Sequence, residues 1–199
     1  MPTPYVKPSS QELKTTRTLV VTVEGDPEFS HVGNIDPSAW MQLLGIPGVI
    51  VDTSTKTNAV KKSTEAIKPT EFLSKARQVF TKTLVETLQK SQHFDEVRVT
   101  DNINGYNNNF DAVLNIKIVN WGTRMQTTGS DVIIPFMDVN ISMNLHRDNK
   151  LIWKEIQTVT DDTHHTLEDY KRQKGLFEDD FTALVNKAGK QVATLLLDF

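Results

Sequence analysis

The chain has 199 residues, with 22 Lys and Arg against 25 Asp and Glu for a net charge of −3, and it contains no cysteine. Apolar residues make up 38% and charged residues 24%, a globular composition that excludes collagen, coiled coil and wholesale disorder. A near-neutral balance argues against a general nucleic-acid binder, which needs clustered Lys and Arg to displace counterions. The absence of cysteine excludes disulfide frameworks, thiol nucleophiles and cysteine-ligated metal sites.

Pro2, Pro4 and Pro8 predict an extended, semi-rigid leader over residues 1–17. Residues 18–199 then form a single domain with an irregular insertion at about 26–68. No window of about 18 apolar residues is present, and the first residues lack an apolar signal region. Two compartments stay open: the cytoplasm, or an exported state read from beyond a removed signal.

In Thr18 to Glu24, Leu19, Val21 and Val23 share one face of a strand. Asp36-Pro37 starts a short helix that Gly45 stops. Ile46 to Val51 is an apolar run with a turn inside it, and Thr53 to Lys68 is a Thr/Ser/Lys-rich loop. From residue 70 to 92, Phe72, Leu73, Ala76, Val79, Phe80, Leu84 and Leu88 make one helical stripe. Thr70 is placed to cap this helix. A short strand follows at Phe94 to Val99, then an Asn-rich loop.

Three further strands are expected at Asp111 to Asn120, Met137 to Leu145 and Leu151 to Val159. In the second, Met137, Val139, Ile141, Met143 and Leu145 face in, while Asp138, Asn140, Ser142 and Asn144 face water. Arg147 to Lys150 is the hairpin turn. A minor helix near Leu167 to Gln173 precedes a long one from about Glu178 to Leu197. The fold class is α+β: a two-layer sandwich of a mainly antiparallel sheet with two long helices on one face.

No phosphate-cradling glycine loop and no Gly-x-Ser-x-Gly elbow is present. The densest polar cluster, Asp161-Asp162-Thr163-His164-His165, has the donor types for a divalent metal or acid–base work. Adjacent histidines diverge in regular structure, and Glu168 and Asp169 suit a helix start, so the main expectation is a polar connection with no catalytic, cofactor or metal role. The segment Val132 to Met137 is an excess of apolar side chains interrupted by Pro135. With the run around Ile46, it marks an expected partner interface of Ile46, Val49, Ile50, Val132, Ile133, Ile134 and Phe136. The competing expectation is that the two runs cover each other within one molecule. Trp153 is expected in the core, and Trp40 either in the core or as an exposed anchor.

The order of an N-terminal strand, an amphipathic helix, Phe94-Asp-Glu-Val97, strands ending in Leu151-Ile-Trp153, and a final Ala/Leu-rich helix resembles small bacterial envelope lipoproteins. Among these are the lipopolysaccharide-assembly lipoprotein LptE, auxiliary lipoproteins of lipid-transport systems and the periplasmic domain of the curli secretion lipoprotein. The resemblance covers residues 70–198 and rests on topology rather than on a catalytic motif. It implies a periplasmic location, an upstream lipidated cysteine for outer-membrane anchoring, and a leader that acts as tether. It also implies a non-enzymatic accessory or structural subunit of an envelope assembly, working by protein–protein contact with other envelope proteins or by self-association. Two alternatives remain: a protein that binds a lipid or amphipathic ligand between helices and sheet, and a small metal-dependent hydrolase built on Asp161, His164 and His165.

Overall fold

The computed structural model describes residues 6, 10–25, 29–32, 71–101, 110–126, 131–173 and 175–198. Its elements are α1 (Ser10–Thr15), β1 (Thr18–Glu24), β2 (Phe29–Val32), α2 (Glu71–Lys90), β3 (Glu96–Val99), β4 (Ala112–Met125) and β5 (Val132–Leu145). They continue with β6 (Leu151–Thr160), β7 (His165–Thr166), α3 (Leu167–Arg172) and α4 (Leu176–Leu197). The expected short helix at 36–44, the runs at 46–51 and 53–68, the cap Thr70, the Asn-rich loop and Trp40 lie outside the described residues.

All strands join one sheet in the order β3-β1-β4-β5-β6, with β2 continuing alongside β4 and β7 alongside β5. The α+β class stands, and the sheet is mixed, with its longest ladders antiparallel. β1 runs parallel to both β3 and β4, β2 runs parallel to β4, and only β4, β5, β6 and β7 are antiparallel. Side-chain alternation is the same in both kinds of ladder, so the sequence could not separate them. The parallel pair β1–β3 needs a long crossover, and the stretch containing α2 supplies it.

The inner face is built from Leu19, Val21 and Val23, from Ala112 to Ile118 at every second residue, and from Val139, Ile141 and Met143. On it lie the stripes of α2 (Ala76, Phe80, Leu84, Leu88) and α4 (Phe181, Leu184, Val185, Ala188, Val192). Each large apolar side chain taken fully from water contributes about 1.5–3 kcal/mol, so these stripes fix the layer order. The helices meet at Gly189, where a Cβ would stand 2.9 Å from the Phe80 carbonyl oxygen and 3.1 Å from the Leu84 nitrogen.

Three local readings change. Residues 10–15 of the expected extended leader are helical, and Leu13 is buried in the main core. The leader read as Pro-rich and polar, and a single leucine gave no period. Within the expected irregular insertion, Phe29–Val32 forms β2, with Phe29 packed edge-on against Phe177 at 5.8 Å. Gly122 opposite Ser30 makes that pairing possible, because a Cβ there would fall 1.8 Å from the Ser30 carbonyl oxygen. Lastly, β4 and β5 run beyond their expected ends. A bulge between Ile118 and Asn120 leaves Val119 as the extra residue, and the inward set of β4 changes from even to odd numbers, reaching Trp121 and Thr123.

Candidate functional site

Opposite the helices, the sheet turns a polar face outward. Register places Thr22, Asn115, Ser142 and Lys154 in one row across β1, β4, β5 and β6, and Glu24, Lys117, Asn140 and Ile156 in the next. All of these but the buried Thr22 line a shallow cleft of about 600 Å³, together with Glu155. Thr22 Oγ1 donates to Asn115 Oδ1 at 2.9 Å, and Thr158 Oγ1 donates to Asp138 Oδ1 at 2.6 Å. Glu24 stands with Lys117 and Lys154 in these rows, whereas the Glu155 carboxylate lies on the other face and accepts from Trp153 Nε1 at 3.1 Å, so the cleft carries donors, acceptors and charges of both signs. Ser142 contributes a hydroxyl, and no histidine stands among the described lining residues to activate it. Chemically this is a hydrogen-bonding surface with one exposed aliphatic, Ile156, at 60% exposure.

The Asp161 to His165 cluster is a structural clasp. Asp161 accepts from the Asp162 amide at 2.8 Å and from Thr163 Oγ1 at 2.9 Å, closing its own turn. Asp162 pairs with Lys187 of α4 at 2.7 Å, and Lys187 also donates to the Thr160 carbonyl. His164 is exposed, whereas His165 on β7 places Nε2 3.8 Å from Asp180 Oδ2. Asp180, only 7% exposed, accepts a 2.9 Å hydrogen bond from the Tyr170 hydroxyl. Burial pushes the Asp180 carboxyl above its ordinary value, while Tyr170 and His165 pull it partly back. Burial, reinforced by the Asp180 bond and charge, also holds the Tyr170 hydroxyl protonated well above its usual range. Thr166 and Asp169 form a capping box at the start of α3, the helix-start role that the acidic residues suit. Among the described residues no group of three or more His, Asp or Glu side chains converges as a metal site would require.

The apolar run at 132–137 is the beginning of β5. Ile133 is fully buried in the main core and Phe136 is 5% exposed, while Val132 and Ile134 are half-buried. Ile133 and Phe136 are therefore occupied by this chain's own packing. Pro135 accepts from the Asp161 amide at 3.2 Å, so its backbone faces the gap between β6 and β7, where a missing N–H breaks no ladder bond. Ile46, Val49 and Ile50 lie outside the described residues. The layer between helices and sheet, the place for an amphipathic ligand, is filled by Phe80, Leu84, Trp121, Trp153 and Phe181, all fully buried.

Two contributors escaped the sequence reading. Val6 pairs with the outer edge of β6, exchanging both backbone hydrogen bonds with Lys154 at 3.0 Å. Nothing in a Pro-rich leader announces one bridging residue. Ile156 was findable, since it shares the wet parity of Lys154 and Thr158 in β6.

No family model matches the chain, and no curated protein matches it. Solved structures with a similar fold include a DUF330 protein of Xanthomonas campestris, 12% identical over 98% of this chain and 93% of that one, with a TM-score of 0.49. A PelC dodecamer from Paraburkholderia phytofirmans is 14% identical over 90% of this chain and 89% of that one, at 0.40. A minor lipoprotein of Acinetobacter baumannii is 11% identical over 59% of this chain and 84% of that one, at 0.34. The likeness is remote, and function is argued from the chain's own residues.

Proposed function

We propose that this chain is a non-enzymatic domain of a bacterial cell-envelope assembly that works by protein–protein contact. The observation that carries the contact reading is the open outer face of β4, β5 and β6. It combines neutral hydrogen-bonding groups, charges of both signs and exposed Ile156 and Val119, beside a ten-residue strand, β6, at the end of the sheet. Such a surface suits a polypeptide partner, which brings backbone donors, acceptors and apolar side chains together. The envelope reading rests on the order of elements and the lipoprotein resemblance of residues 70–198.

A photo-reactive amino acid at Asn140, in cells making the full precursor, tests this. Discrete cross-linked protein species in the envelope fraction are expected, with none from the same probe at exposed Lys190 on α4. Equal patterns from both sites, or a cytoplasmic location, would contradict the proposal.

A further inference from the structure

We infer that the outer edge of β6 is a self-pairing surface for a second copy of this chain, and that the N-terminal segment at Val6 is a weak strap that guards it. This deepens the contact reading by naming one partner. Both backbone groups of Lys154 bond to Val6, so they point away from β5. By the two-residue repeat of a strand, the N–H and C=O of Ile156 and Thr158 point the same way. Among the described residues they meet no backbone partner. An edge of this kind is a template for another strand.

The strap is built to be displaceable. Val6 is the one N-terminal bridge to this edge among the described residues, and Pro4 and Pro8 on either side of it have no N–H to donate. A segment lacking those donors can make fewer ladder bonds than a strand that has them all. A second β6 has no such defect.

The register follows from the side chains. Antiparallel pairing about Ile156 places Ile156 opposite its own copy, Lys154 opposite Thr158, and Glu155 opposite Gln157. It uses the strand from Ile152 to Thr160 and sets no like charges face to face. Sliding so that Glu155 meets Glu155 would do so, at a cost in pairing. The favoured register needs the Lys154 groups that Val6 occupies, so strap and dimer exclude each other.

The test is sedimentation equilibrium on the full chain. Val6→Pro removes the donor to Lys154 and is expected to tighten self-association at least about tenfold, by freeing an occupied edge. Ile156→Asp in that background sets two carboxylates together at the two-fold axis and is expected to restore the monomer with an unchanged Tm, because Ile156 is exposed. In the Val6→Pro dimer, hydrogen exchange should slow at the Ile156 and Thr158 amides. Val6→Pro that associates no more tightly than wild type, a dimer that survives Ile156→Asp, or unprotected amides at 156 and 158 would each overturn the inference. Cross-linking from Asn140 reads the envelope partner separately, so failure of one claim leaves the other measurable.

Discussion

Asp180 is the one buried carboxylate among the described residues. It lies in the acidic first turns of α4, where a sequence reading places a solvated charge complementing the helix dipole. Tyr170 shows why it is inside: the two form a buried pair that fastens α3 to α4, with Tyr170 stacked edge-on against Phe177 at 5.4 Å. A folded carboxyl with a raised pKa binds its proton more tightly than the unfolded chain does. Its stabilising contribution is present below the ordinary 3.8 and lost as pH rises through the folded value. Asp111 has the opposite sign. Burial raises it, but hydrogen bonds from the Thr18 and Arg17 amides and the Thr18 hydroxyl outweigh this and hold it low, so its contribution is lost as pH falls. Asp180→Asn keeps an acceptor for Tyr170 and removes the charge. Urea unfolding should show the variant gaining on wild type as pH rises above the ordinary carboxylate range, and parallel profiles would contradict the raised carboxyl. Asp180→Ala should cost about 1–3 kcal/mol by removing the buried acceptor of the Tyr170 hydroxyl. Leu184 sits fully buried between helix and sheet, and Leu184→Ala should cost about 2–5 kcal/mol. A loss under about 1 kcal/mol would place its face outside the core.

At the scale of elements, the helix stripes and the alternating strands were legible because each buries one face and wets the other. Met137 to Leu145 could be read residue by residue for this reason. Legibility failed where parity changed or context decided. The bulge at Val119 reversed the inward set of β4, so the strand was cut short at Asn120. The run at 132–137 read as surplus because Ile133 and Phe136 lie on opposite parities, yet both are buried. β2 is four residues long and owes its place to Gly122 and to the ring of Phe29. The contact of α2 with α4 gives an element-scale prediction. Gly189→Ala gains about 1 kcal/mol of helix propensity but forces a methyl against the α2 backbone, an overpacking cost of about 1–3 kcal/mol. Chemical denaturation should show net destabilisation, and a gain in stability would mean that the helices separate freely at that point.

Across the whole molecule, the two faces of the sheet divide the work. One is consumed by the helices and holds nearly all the large apolar side chains. The other keeps Asn115, Asn140, Ser142 and the charges of Glu24, Lys117 and Lys154 at or near the surface. The outward parity of residues 138–144 revealed that wet face in the sequence. Its continuation onto β1 and β6 depended on register, which no local pattern specifies. In the Asp161 to His165 cluster, whose side chains are chemically capable, Asp161 closes its own turn and Asp162 holds Lys187 of α4, while His164 is exposed. Complementation by a variant altered only on the wet face tests the central claim most directly. In a strain whose deletion phenotype the wild-type gene restores, Asn140→Arg with Ser142→Arg should fail to complement. The purified variant should keep the wild-type Tm, since neither side chain belongs to the core. Full complementation by that folded variant would contradict the outer face as the working surface.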